Sequence, residues 1–424
     1  MRGRERANLT VEKMSSQSVG SPPLLFRRIG YCLLLLMPVV SLLNIISIGT
    51  ISALNIRPSD GLFLITSIVW ILHTGMQLKL SKYAVGFLLG LGLLVIFPGF
   101  SSATSTSYIV DWPRWMRFIQ TMMWGLYAIA FILTREDWDR FSNSIAFSGS
   151  ILGGSSFVLY LIDPDIHRIA GFISASAGEE MDVQVSFNEI GALHALVVVL
   201  MVERWLGHRM SFFSWTALCL NVVGLVLIQS RSSYLAVMVF IFVYVALKLL
   251  KGTISFRLDR GILLGSVVFI SFVLLINSTG HYLAIDRTRT LLEGLNDVSA
   301  AIRLSLWKLG FTVLGEADFW NLMFGYGSRT LTNLIGGTTL DNFYLDHLLS
   351  EGMCGLALIL LLIFSPLAIR NANGRQSRIV AIWGVACVAM VVSLTGNVLV
   401  NPLYGAVTMI VMWGAVRSTP SRPV

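Results

Sequence analysis

Long hydrophobic runs separated by short polar segments recur along almost the whole chain. Their lengths lie close to the roughly 17–25 residues that a helix needs to cross a bilayer of about 30 Å. The pattern predicts an all-α polytopic membrane protein with about twelve transmembrane helices. The predicted spans are residues 29–54, 61–77, 83–98, 115–134, 144–162, 188–202, 212–229, 233–250, 261–276, 344–369, 379–394 and 402–416.

Polar stretches divide the chain into five segments. Residues 1–28 are rich in Ser and charge and predict a disordered tail, residues 29–276 carry spans one to nine, and residues 342–416 carry spans ten to twelve. Residues 417–424 form a second short tail. Between the span groups, residues 277–341 form a long loop, and a loop of such length is uncommon unless it is functional or has structure of its own.

Basic residues orient these spans, because cytoplasmic loops hold an excess of Lys and Arg. With both termini in the cytoplasm, 21 of the 31 Lys and Arg residues fall on the cytoplasmic side. The long loop is then on the outer side. The ten outer basic residues are Arg57, Arg114, Arg117, Arg168, Arg231, Arg287, Arg289, Arg303, Lys308 and Arg329.

Composition supports a membrane protein, since 55% of the 424 residues are hydrophobic and only 13% are charged. Topology accounts for most of the net charge of +8, so no nucleic-acid partner is implied. The first run is too long for a signal-peptide core and predicts a retained span. The four cysteines have no metal-ligand spacing and predict buried free thiols.

The long loop contains a predicted helix at residues 296–314, where Ile302, Leu306, Leu309 and Val313 form an apolar stripe. Arg303 and Trp307 are four residues apart and share another face. A guanidinium beside an indole suits a sugar phosphate, with the ring against a pyranose face. An interfacial amphipathic helix with a Trp anchor explains the same pattern, and composition alone favours it.

Arg231 lies between two strongly apolar runs, with only Ser residues beside it. A cation near membrane depth costs about 2.5–3.5 kcal/mol on insertion scales unless it is paired or reaches water, which makes such a residue a functional candidate. A tight outer turn with Arg231 reaching the headgroups is the alternative.

These features together resemble the bacterial O-antigen ligase and Wzy-type polysaccharide polymerase superfamily. The resemblance rests on Arg231 at the start of a span, Arg303 with Trp307 on a loop helix, the following FGYG, and then DNFYLDHLLSEGMCGL before the last spans. An earlier stretch from His167, HRIAGFISASAGEEMDVQVSFNEIGALHAL, is also similar to a family segment.

The resemblance implies a GT-C-like, metal-independent, inverting glycosyltransferase of the bacterial inner membrane with a periplasmic active site and no cofactor. Its partners would be an undecaprenyl-diphosphate-linked glycan donor, a glycan acceptor and the lipid bilayer; a chain-length regulator stays open. Arg231 and Arg303 would bind the donor diphosphate, with help from Arg168. Trp307 and Asn342 would contact sugar.

The ligases commonly have a His followed by Asn where this chain has Asp341 and Asn342. A positioned carboxylate can accept the proton of an acceptor hydroxyl, so Asp341 is the predicted general base. His347 is an alternative base. When the resemblance is set aside, a structural role explains Asp341 about as well, because Asp341 or Asn342 is a good N-cap for a helix that begins near Phe343.

Polymerase and ligase share this donor chemistry and differ in the acceptor, and Asp in place of His favours a polymerase of exopolysaccharide or O-antigen repeats. A ligase that attaches polymer to lipid A core is the alternative. A transporter of polysaccharide or lipid-linked oligosaccharide is a third hypothesis, in which Arg231, Asp341 and Glu189 line a path. The clustering of distinctive charges on one side argues against transport.

Overall fold

A computed structural model describes most of the chain. Residues 1–28 are described only from residue 22 on, and the predicted span at residues 261–276 and Arg168 lie outside the described part. The described ranges are 22–43, 49–51, 54–77, 80–104, 109–162, 187–206, 210–228, 230–250, 298–336, 340–372, 379–396, 399 and 404–417.

The described residues are almost entirely helical, with one short antiparallel hairpin. In chain order the helices are α1 (Pro22–Leu42), α2 (Pro58–Gln77), α3 (Lys82–Thr104), α4 (Trp112–Phe131), α5 (Arg135–Ile162), α6 (Phe187–Leu206), α7 (Phe212–Ile228), α8 (Arg231–Leu250), α9 (Val298–Gly315), α10 (Phe319–Phe324), α11 (Ser328–Leu334), α12 (Phe343–Ala372), α13 (Ile379–Ser393) and α14 (Tyr404–Arg417). The hairpin pairs β1 (Gly49–Ile51) with β2 (Leu54–Ile56).

Among the helices in the described part of the chain, five are long and apolar enough to cross a membrane: α1, α2, α3, α5 and α12. Four shorter apolar helical segments accompany them, at Phe212–Ile228, Ser232–Tyr244, Ala381–Ser393 and Tyr404–Val416. The protein is therefore a membrane-embedded helical protein, as predicted. The total of twelve spans and the GT-C-like arrangement stay predictions.

The first helix differs from the first predicted span at both ends. α1 begins at Pro22, because proline is well tolerated in the first turn of a helix, where its missing N–H is no loss. It ends at Leu42, whereas the predicted span continues to residue 54. Strand β1 and the first residue of β2 lie within that last part of the predicted span. A run longer than the bilayer requires does not itself mark where the helix stops.

Two helices form the centre of the bundle and are covered on all sides. In α6, every residue from Glu189 to Met201 is buried, and in α14 so is every residue from Tyr404 to Val416. A helix that is hydrophobic all round belongs in such a position. The outer helices instead expose large apolar side chains to the lipid, for example Leu64 and Ile71 of α2, Leu89 and Ile96 of α3, Phe242 of α8 and Leu361 of α12.

Polar contacts show which helix ends lie together. Arg27 at the start of α1 pairs with Asp137 at the start of α5. At the opposite end, which we call the second end, Arg117 of α4 pairs with Asp60 of α2, and Arg114 of α4 pairs with Asp346 of α12. Helices α2, α4 and α12 therefore all begin at the second end, as their predicted alternation across the membrane requires.

Helices α9, α10 and α11 pack on the first turns of α12 at the second end. A separate small core forms there from Leu331, Ile335, Leu340, Leu345 and Leu349. The predicted apolar stripe of α9 is correct only in part, since Leu306 and Val313 pack on this core while Ile302 and Leu309 are exposed. The buried face is rotated toward Trp307, because Gly310 lets α9 approach Leu345 closely.

Candidate functional site

The candidate site is built around the start of α12. Asn342 caps this helix: its side-chain oxygen accepts from the Leu345 backbone N–H at 3.1 Å, and its carbonyl accepts from Asp346 N–H at 2.9 Å. Asp341 precedes the cap and is the only non-glycine among the described residues with positive φ, at 49°. Aspartate tolerates this left-handed conformation better than most residues. The turn directs the chain from the long loop into α12.

Arg303 and Asp341 are close in space although they are far apart in sequence. The Nε atom of Arg303 lies 4.0 Å from Oδ2 of Asp341, and their side chains are 30% and 47% exposed. This distance is too long for a hydrogen bond. The result is a guanidinium beside a carboxylate, both partly exposed, at the second end of the bundle.

α12 is broken at Gly352, whose φ of 71° and ψ of −175° are not helical. The break exposes backbone carbonyls, and the loop after α10 satisfies two of them. Tyr326 N–H donates to Leu349 O at 2.7 Å, and Gly327 N–H donates to Ser350 O at 2.8 Å. The FGYG stretch is thus the partner of the broken helix.

Glycine is required on both sides of this contact. A Cβ on Gly325, where φ is 81°, would clash with the Ser350 carbonyl, and a Cβ on Gly352 would clash with the Met323 backbone. Both positions combine a positive φ with backbone contact. The first glycine of the GYG turn and Gly352 of the EGMCG stretch therefore serve one packing event.

The first turn of α11, which follows this loop directly, is tied to the chain just before α4. Arg329 N–H donates to Ile109 O at 3.0 Å, and Ile109 N–H donates to the hydroxyl of Thr330 at 3.1 Å. Asp111 N–H donates to the hydroxyl of Ser328 at 2.8 Å. The loop is held by α12 on one side and by the α4 N-terminus on the other.

A largely buried cluster of polar side chains lies beneath this loop. Arg114 of α4 donates to the Asp346 carboxylate, which is only 2% exposed. At the next position of α12, His347 Nδ1 lies 2.7 Å from Oε2 of Glu351 in the following turn, and both side chains are buried. The His347 ring packs on Phe118 and Phe343, with centroids 5.2 and 4.4 Å away. His347 is therefore a hydrogen-bonded packing residue in this structure.

The other predicted site residues are placed to different degrees. Arg231 begins α8, directly after Ser230, whose hydroxyl donates to Asn188 of α6 at 3.3 Å. α13 packs on α8, which begins at Arg231, and also on α12, which follows Asp341. It therefore connects the two helices near which these candidate residues lie. Trp307 packs on the small core beside α12. The structure brings Arg303, Asp341 and Asn342 together.

Tyr326 lies in the loop after α10, which is hydrogen-bonded to α12. Burial raises the pKa of its phenol, and the nearby carboxylates of Asp318 and Glu316 raise it further. The phenol therefore stays protonated across the physiological range. Within the described ranges, no three His, Cys, Asp or Glu side chains gather into a group that could hold a metal ion.

The sequence did not single out the Arg114–Asp346 pair or its neighbour, in which Arg117 and Gln120 both donate to Asp60. A signal was present, because Arg114 and Arg117 are basic residues on the side that the positive-inside rule disfavours.

Comparison with protein-family models gives no match, and comparison with curated proteins gives none either.

Proposed function

We propose that the protein is a membrane glycosyltransferase that transfers a glycan from undecaprenyl diphosphate to an acceptor sugar hydroxyl, and that it polymerises exopolysaccharide or O-antigen repeat units. The second end of the bundle is then the periplasmic end. The proposal joins the motif resemblance of the sequence to one structural observation, the proximity of Arg303 and Asp341 in front of α12.

This pair supplies the two groups that the reaction needs. The guanidinium of Arg303 can donate several hydrogen bonds to phosphate oxygens, in a geometry that suits a diphosphate. The carboxylate of Asp341 can accept a proton from a sugar hydroxyl. Both side chains are partly exposed, so a substrate at the membrane surface can reach them.

The proposed step conserves atoms and charge. The acceptor oxygen forms a bond to the anomeric carbon of the donor sugar, and the bond from that carbon to the diphosphate oxygen breaks with its electron pair. The hydroxyl proton passes to Asp341. Undecaprenyl diphosphate leaves, and its added negative charge is stabilised by Arg303 together with Arg231 and Arg168. Attack opposite the leaving group inverts the anomeric configuration.

The broken helix gives less support to a transporter. Transporters use discontinuous helices whose free backbone groups bind substrate or ions within the membrane. In α12, the carbonyls of Leu349 and Ser350 at the break already accept hydrogen bonds from Tyr326 and Gly327. The break in α12 is therefore the place where the loop after α10 packs, and these two carbonyls already have partners.

The test is the electrophoretic profile of surface polysaccharide and lipid-linked intermediates in a deletion strain complemented with the wild-type chain or Asp341→Asn. We expect long chains with the wild type and single repeat units with the variant. If the protein is a ligase, the strain with the inactive variant should instead lack polymer on lipid A core and retain lipid-linked polymer. If the protein is a transporter, the strain that lacks it should accumulate lipid-linked units on the cytoplasmic face of the membrane.

Two further variants separate the carboxylate from the backbone turn. Asp341→Gly accepts the positive φ without a carboxylate and should fail like Asp341→Asn. Asp318→Asn changes another carboxylate, which caps α10 through the Asn321 N–H at 2.7 Å. Asn is an equally good cap, so this control should make long chains. If Asp341→Asn also makes long chains, Asp341 is not the base.

A further inference from the structure

Four aromatic rings form a continuous row at the second end of the bundle. Phe319 and Trp320 are in contact edge to face with centroids 5.6 Å apart, and Trp320 stacks on Phe324 at 5.7 Å. Phe324 in turn lies 5.9 Å from Phe97 of α3. The row therefore runs from α10 to one of the helices long and apolar enough to span the membrane.

The far end of this aromatic row is uncovered. Phe319 is 65% exposed and Trp320 is 51% exposed, and α10 has no buried residue. Leaving apolar surface in water costs about 25 cal/mol per Å², and aromatic side chains have the largest surfaces of all. Something other than water is expected to cover these two rings.

The surface next to the row identifies what covers it. On α3, the turns before Phe97 expose Leu89, Leu93 and Ile96, as lipid-facing residues do. On α12, Met353 is 50% exposed just after the break. The aromatic row continues this lipid-facing surface toward the second end. Trp side chains are enriched where the membrane meets water, because the indole ring is apolar and also carries a polar N–H.

We propose that Phe319 and Trp320 insert into the headgroup region of the leaflet at the second end and anchor α10 to the membrane surface. The residues that precede them fit this depth, because Glu316 and Asp318 are both exposed and charged and can stay in water. This inference concerns the lipid surface and does not depend on the proposed reaction.

The anchor has a structural consequence for the loop that follows it. Phe324 is the last residue of α10 and is followed at once by Gly325, Tyr326 and Gly327, which fill the break of α12. A membrane-held α10 therefore fixes this loop at the level of the headgroups. The Arg303 and Asp341 pair, on the elements that pack beside the loop, is held near the same surface.

The test places a nitroxide spin label on the full chain in phospholipid nanodiscs. The four cysteines are replaced by alanine, and single cysteines are introduced as Trp320→Cys, Phe319→Cys and Ile96→Cys. Each label is compared for collisions with oxygen, which concentrates in lipid, and with a nickel chelate, which stays in water. The label at position 96, on the lipid-facing surface of α3, is the embedded reference.

We expect the labels at positions 319 and 320 to collide more with oxygen than with the nickel chelate, with a ratio below that at position 96. Such an intermediate ratio places both side chains at the headgroups. A ratio in favour of the nickel chelate at both positions would place α10 in water. Low collision rates with both reagents would mean that a protein surface covers the rings. Either of these last two results overturns the anchor.

Discussion

Arg114 of α4 and Asp346 of α12 form a salt bridge that joins two helices at the second end of the bundle, with Asp346 almost fully buried. The guanidinium lies at the start of one helix and the carboxylate in the first turn of another. In such a pair, each ion neutralises the charge of the other. Removing one partner would leave an unpaired ion in the protein interior, which costs far more free energy than burying the pair.

Removing one partner should therefore be worse than removing both. We expect Arg114→Met and Asp346→Leu each to lower the free energy of unfolding by about 3–5 kcal/mol, and the double variant to lower it by less. Unfolding by sodium dodecyl sulfate in mixed micelles measures this difference.

The matched control is Arg140→Met, which breaks the exposed pair with Glu136 on α5, where the side chains are 61% and 72% exposed. Such a surface pair is worth at most about 1 kcal/mol. If Arg114→Met were no more destabilising than this control, the buried pair would have no role in holding α4 to α12.

Three glycines separate backbone strain from steric contact. Gly336 has a φ of 73° and open space around it, so Gly336→Ala should cost about 1–2 kcal/mol from the left-handed conformation alone. Gly325→Ala adds a clash with the Ser350 carbonyl and should cost clearly more. Gly86→Ala, in α3 with ordinary φ and nothing nearby, should be neutral or stabilising by up to about 1 kcal/mol.

The same detergent unfolding assay ranks these variants. The order Gly325→Ala, Gly336→Ala, Gly86→Ala, from least to most stable, is the expected result. Equal effects of the first two would show that the loop can move away from α12, and the loop would then not be locked into the break.

The sequence predicts the helical membrane architecture well because bilayer thickness translates directly into the length of apolar runs. It also predicts that the start of α12 is a capped helix. It does not predict the break at Gly352, because residues 344–369 are predicted as one continuous span and a single glycine inside a helical pattern does not mark a break. The hydrogen bonds that Tyr326 and Gly327 donate to the carbonyls at the break come from a separate part of the chain, so the local sequence does not reveal them.

Long-range pairs are the other feature that the sequence leaves open. Arg114 and Asp346 are 232 positions apart, and no spacing rule links them. The sequence predicts Arg303 on a loop helix and Asp341 before a span, but their proximity depends on how α9 packs on α12. The buried face of α9 lies about one position away from the predicted apolar stripe, because Gly310 is the contact residue and carries no hydrophobic signal.

Asn342 has two candidate roles, a helix cap and a sugar contact, and serine distinguishes them. Serine caps helices about as well as asparagine, so Asn342→Ser should unfold at the same detergent concentration as the parent. Asn342→Ala should lose about 0.5–2 kcal/mol. If Asn342→Ser is stable and makes shortened chains, its amide contacts sugar; if it makes normal chains, Asn342 is only the cap.

Arg303→Lys tests the diphosphate contact itself. Lysine keeps the charge but cannot form the paired hydrogen bonds of a guanidinium, so the leaving diphosphate would lose directed donors. Loss of one such donor costs about 10²–10³ in turnover in other enzymes, and we expect a loss of this order with purified lipid-linked repeat units. Arg329→Lys is the matched control, since Arg329 is exposed at the second end and contacts Ile109 through its backbone N–H. It should retain parental turnover. Full turnover by Arg303→Lys would show that the guanidinium geometry is not used, and the donor diphosphate would have to be bound elsewhere.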